Sequence, residues 1–84
     1  MIISLSKLPI GSTCKLYYLN INNINLKRRL LDLGLVKNTT IKALYKSPLN
    51  DPTSYLIRGS VIALREDDTK NIFVITEGVD NGTN

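Results

Sequence analysis

At 84 residues the chain has room for one domain, close to the lower size at which a single apolar core holds a fold without disulfides or a metal. Lysine and arginine total 11 against 7 aspartate and glutamate, a net charge of +4, with one cysteine and no histidine. A cleft between domains, an internal disulfide, and histidine as general base or metal ligand are thereby excluded.

The chain opens on a leucine-bearing lead-in, Leu5 and Leu8, closed by the turn signal Pro9-Ile10-Gly11. Ser12 to Leu19 then alternates and predicts a strand with Cys14, Leu16 and Tyr18 on one face. Leu26, Leu30 and Leu33 follow at the i, i+4, i+7 spacing of one helical face, which predicts a short helix from about Asn25 to Leu33. Asn22 or Asn23 supplies a side-chain acceptor for its first turn, and Gly34 falls where a left-handed C-terminal cap is wanted. At 100° per residue, Ile24, Leu31 and Leu35 gather opposite that stripe, flanked by Lys27 and Arg28. Either both sides of the helix are covered, one by a sheet and one by a loop, or one side stays open as a docking ridge.

Lys37-Asn38-Thr39 reads as a turn, and Thr40 to Lys46 as a half-buried strand with Ile41, Ala43 and Tyr45 inward and Lys42 and Lys46 outward. Two prolines and an Asn-Asp pair make Ser47 to Pro52 a loop. Tyr55 to Arg58 and Val61 to Arg65 are the next strands, with Gly59 marking a tight turn, bulge or bend. Glu66 to Asn71 forms a turn with room for one helical loop, and Ile72 to Thr76 is a last strand whose near-continuous apolar run predicts burial on both faces. Residues 1–76 are thus expected to form the domain, and 77–84 a polar, disordered tail. Five short strands with one helix after the first are too few for a sandwich, so the expected class is mainly β, a small barrel that hides its edges by curling.

The chemistry-bearing residues are sparse. Cys14 is expected to be a buried, inert thiol, and the adjacent acids Glu66, Asp67 and Asp68 match no calcium loop, so no metal and no cofactor is expected. The five glycines are dispersed and cradle no phosphate. Enzymatic activity is therefore not expected. Residues 1–65 carry ten basic and two acidic groups, whereas residues 66–84 carry one and five. That basic body is either a set of solvated strand faces or a surface for nucleic acid, an anionic membrane or an acidic protein. Tyr17, Tyr18, Tyr45 and Tyr55 near basic groups are a thin version of a nucleic-acid platform, and tyrosines on barrel strands more often bury the ring. No apolar run nears the ~20 residues that cross a bilayer, and Met1 to Leu5 lacks the form of a secretory signal, so the expected location is the cytoplasm.

The order of segments resembles the FeoA family of ferrous-iron-transport accessory proteins. The resemblance is carried by Pro9-Ile10-Gly11, by Arg29-Leu30-Leu31-Asp32-Leu33-Gly34-Leu35-Val36, by the loop Pro48-Leu49-Asn50-Asp51-Pro52, and by Gly59 with Ile62-Ala63-Leu64-Arg65. Lys37-Asn38 stands where such proteins tend to have Pro-Gly, and Asn50 where glycine is usual; asparagine is the residue that best tolerates positive φ in their place. The resemblance implies an SH3-like barrel, a role in bacterial ferrous iron uptake, and contact with the cytoplasmic part of the GTPase-bearing permease, FeoB. Transition-metal binding is attached to the family by kinship with iron-responsive repressors, and the missing histidines argue against a tight site here.

The leading expectation is a non-enzymatic adaptor that docks on the permease through Ile24, Leu31 and Leu35 as apolar anchors, with Lys27, Arg28 and Arg29 as a charged surround. Arg65 is expected to be structural. The alternatives are a basic nucleic-acid-binding barrel and a self-associating adaptor that forms homo-oligomers.

Overall fold

The computed structural model describes residues 1–76; the expected tail, 77–84, lies outside the described residues. The elements run β1 (Ile2–Ser4), a 3-10 turn (Leu5–Lys7), β2 (Thr13–Leu19), α1 (Ile24–Asp32), β3 (Thr40–Lys46), β4 (Thr53–Ile57), β5 (Ser60–Leu64), α2 (Glu66–Thr69) and β6 (Ile72–Ile75). The strands form one antiparallel sheet in the order β1-β6-β2-β3-β4-β5. There are six strands where five were expected, because Ile2–Ser4 pairs with β6, Ile2 opposite Ile75 and Ser4 opposite Phe73. Three residues are too few to display an alternation, so this strand is dictated by its distant partner. The 3-10 turn and α2 pack together beside β6, and the Ser4 hydroxyl donates to the Thr69 carbonyl at 3.1 Å.

The inward side chains form one cluster, in which Leu5, Leu30, Leu35, Ile41, Ile57, Ile72 and Val74 are wholly buried. The expected faces of β2 and β3 hold for Cys14, Leu16, Ile41 and Ala43, and fail for the tyrosines that follow. The register against β6 slips between Leu16 and Tyr18, and that against β4 slips between Ala43 and Tyr45. One extra residue in each strand reverses the side-chain alternation beyond it. Tyr18 and Tyr45 are therefore 56% and 57% exposed, while Leu19 points back to the core. In β6, Ile72 and Val74 are buried but Phe73 and Ile75 only half-buried, so the strand is covered fully on one face rather than on two.

The turns follow local chemistry. Asn38 and Asn50 sit at φ 75° and 70°, the left-handed conformation expected for asparagine in the place of glycine. Ile57 faces Ser60 across the β4–β5 hairpin, leaving a two-residue turn, Arg58-Gly59, with both φ angles positive at 49° and 82°. That is the geometry whose twist matches the flanking strands.

Candidate functional site

Helix α1 begins at Asn23, whose side-chain carbonyl accepts from the amides of Asn25 and Leu26 at 3.1 Å each. This selects Asn23 over Asn22 as the cap and satisfies two amides that the first turn leaves unpaired. Leu26, Leu30 and Leu33 face the core as the periodicity requires, Leu30 completely and the other two in part.

The helix ends in a Schellman motif. Gly34, at φ 93°, donates to Leu31 O at 2.9 Å, and Leu35 donates to Leu30 O at 3.0 Å. This motif brings the second residue after the cap against a residue in the last helical turn, here Leu35 against the buried side of Leu30. Leu35 is accordingly 0% exposed, which corrects its placement beside Ile24 and Leu31. A helical wheel cannot be extended past a left-handed glycine, since the chain beyond it no longer advances at 100° per residue. The Gly34 signal itself, followed to its side-chain consequence, points Leu35 inward.

The other side of α1 is open. Ile24 is 68% and Leu31 46% exposed, seven residues apart on one face, and Lys27 and Arg28 are exposed on either side of them. Arg29 is exposed too, but it lines a different groove of about 370 Å³ together with Leu26, Leu64, Arg65 and Asp68. The structure thus groups Ile24, Leu31, Lys27 and Arg28, sets Arg29 on the neighbouring flank, and removes Leu35. Val36 and Leu49, both exposed apolar side chains in turns, were not singled out by periodicity because turns have none.

The turn after α1 is held by one threonine. The Thr39 hydroxyl donates to Gly34 O at 3.1 Å and accepts from Val36 N at 3.0 Å, and Thr39 itself is buried. Arg58, from the β4–β5 hairpin, lies over Gly34.

Elsewhere the chemistry is structural. Burial pushes the Cys14 thiol up to about 12, far from the thiolate form that reacts or ligates. Among the described residues no three of cysteine, aspartate and glutamate come together in a way that could hold a metal ion. Arg65 reaches Asp51 at 3.9 Å, and Asp51 accepts from the Glu66 amide at 2.9 Å, so the long loop caps α2 from outside. Among the described residues the tyrosines form no row across the sheet: Tyr55 is buried, Lys37 sits over the Tyr17 ring at 5.2 Å, and Tyr18, paired with Phe73 of β6, and Tyr45 stand towards opposite ends of the β2–β3 pair. Among the described residues no helix is long and apolar enough to cross a membrane.

This architecture has relatives. The chain aligns with the FeoA protein of Chlorobium tepidum at TM-score 0.85 and 30% identity, over 95% of this chain and 75% of that one. It aligns with iron(II) transport protein A of Clostridium thermocellum at TM-score 0.78 and 27% identity, over 89% of this chain and 46% of that one. A manganese-dependent transcriptional repressor shares the fold at TM-score 0.76 and 15% identity, over 89% of this chain and 41% of the repressor. No curated protein matches the chain. The mainly β, SH3-like architecture expected from the order of segments is therefore present, and the sequence profile of the FeoA domain matches residues 3–76. Since that match spans almost every residue of the sheet, the core and the two helices, the chain belongs to the FeoA family, which is associated with ferrous iron transport.

Proposed function

We infer that the protein is a non-enzymatic, cytoplasmic accessory factor of ferrous iron uptake that docks on the cytoplasmic part of the FeoB-type permease and modulates transport. One observation carries this reading: in a FeoA-family chain, α1 presents Ile24 and Leu31 to solvent between Lys27 and Arg28, while its opposite side is spent on the core. A compact apolar pair ringed by cations suits a partner surface with a greasy recess and an acidic rim, the rim steering the encounter and the recess holding it.

The test is an isotope-labelled NMR titration of the full chain with the soluble cytoplasmic domain of the permease. Amide shifts centred on residues 24–31, lost in an Ile24→Glu, Leu31→Glu double variant that stays folded, are the expected result. Shifts confined to the C-terminal tail, or none, would sink the assignment.

A further inference from the structure

A second surface lies on the outer face of the sheet, and among the described residues its charge is of one sign. Thr13, Lys42, Leu56 and Val61 stand opposite one another in a row across β2, β3, β4 and β5; Lys15 stands opposite Thr40 and Ile75 in the next row. Lys42 and Arg58 line a groove of about 420 Å³, and Lys15 lines an adjoining one of about 270 Å³; Asn38 and Thr40 belong to both. The two grooves are thus one shallow trough. Among the described residues its lining holds three cations and no carboxylate, with Leu56 near one end and Ile75 near the other. Among the described residues Lys15, Lys42 and Arg58 make no ion pair, in contrast to Arg65 and Lys70.

We propose that this trough is a binding site for an extended acidic segment of a partner protein, with Lys15, Lys42 and Arg58 receiving carboxylates and Leu56 and Ile75 receiving apolar side chains that flank those acids on the same face of the segment. Spacing supports the extended form. Lys42 is the diagonal neighbour of Lys15, so their backbones are roughly 7–8 Å apart. Alternate residues of an extended peptide repeat at roughly 6.5–7 Å, so acids at every second position meet successive lysines. The lining also favours a peptide over a nucleic acid: among the described residues the trough has no aromatic ring for bases to stack on, and the Tyr17 face is taken by Lys37. This surface is separate from the exposed side of α1, so the two assignments stand or fall independently.

The test titrates the full chain with a fluorescent peptide whose alternate residues are leucine, glutamate, glutamate and leucine with serine between them, alongside an oligouridylate of equal charge. The expected result is peptide binding that weakens as salt rises, with amide shifts at Lys15, Asn38, Thr40, Lys42 and Gly59. Lys15→Glu with Lys42→Glu, both at exposed strand positions, weakens binding by about tenfold or more; Lys7→Glu with Lys46→Glu, exposed and outside the trough, leaves it unchanged. Absence of peptide binding, tighter binding of the oligouridylate, or equal weakening by both pairs of substitutions overturns the proposal.

Discussion

The Arg58 side chain lies against Gly34 so closely that a β-carbon on the glycine would stand 2.7 Å from Arg58 Cδ and 2.8 Å from Nε. Two elements far apart in sequence, the end of α1 and the β4–β5 hairpin, meet here through the outer part of one exposed, flexible side chain. Gly34→Ala therefore meets two penalties, a left-handed backbone that costs about 1–2 kcal/mol and a smaller steric one, since Arg58 is exposed and can move aside. In a double-mutant cycle read by urea unfolding, Arg58→Ala is expected to relieve the steric part alone. Strict additivity of the two substitutions would show that the contact does not matter.

Leu35 and Ile24 separate core from surface within one segment. Leu35→Ala is expected to cost about 2–5 kcal/mol, as for a leucine whose removal leaves a cavity. Ile24→Ala is expected to stay within about 0.5 kcal/mol. Thermal or urea unfolding of the two variants checks this, and a reversed order would contradict the geometry of the helix end.

Asn23 is the hinge between an irregular approach and α1. Replacing it with alanine removes the acceptor for two amides and is expected to cost about 0.5–2 kcal/mol, whereas Asn23→Ser or Asn23→Asp restores most of it. Asn22→Ala, one residue earlier, should be close to silent in the same unfolding assay.

Asp51 acts on α2 more through its hydrogen bond than through its charge. The Glu66 amide is held at 2.9 Å, whereas the Arg65 guanidinium is 3.9 Å away and largely exposed. Asp51→Ala should lose about 1 kcal/mol, and Arg65→Ala almost nothing. Asp51→Asn, which keeps a side-chain acceptor, should fall between Asp51→Ala and the parent. Equal losses for Asp51→Ala and Arg65→Ala would assign the effect to the ion pair instead.

Alkaline stability should bear the mark of Cys14. Burial raises its pKa from 9.0 to about 12, and burial likewise raises that of Tyr55 above 10.0. In the unfolded chain these groups lose their protons first, so between pH 9 and about 12 the native state holds more protons. Stability should then decline as pH rises from 9, and the thiol's share of the decline should end near 12. Cys14→Ala, measured by unfolding across this range, is expected to show a shallower decline than the parent. Parallel pH profiles would mean that the thiol titrates alike in both states.

The sequence made the helix and its cap, the two asparagine turns, the loop and most strands legible, because each is written in neighbouring residues. Asn38 and Asn50 needed nothing beyond their own tolerance of positive φ. Tyr18 and Tyr45 were misplaced for the opposite reason: a bulge is decided by the partner strand, and the alternation of β2 or β3 alone continues smoothly across it. β1 escaped notice because its three residues acquire meaning only beside β6. At the candidate site, the open pair Ile24 and Leu31 was readable from helical spacing, whereas Leu35 turned inward through backbone geometry that lies past the end of the helix. The trough of Lys15, Lys42 and Arg58 had no linear signature at all, since three strands or turns must be laid side by side before the charges meet.

Met1 and Thr76 answer one another across the sheet: the Thr76 amide donates to Met1 O at 2.9 Å, and the Met1 amino group to Thr76 O at 3.2 Å. Positions 1 and 76 are consequently near enough to be joined without changing the ladder order. Splicing position 76 to position 1 through a brief glycine bridge, and opening the chain within residues 47–52, would rearrange the gene while preserving each strand's neighbours.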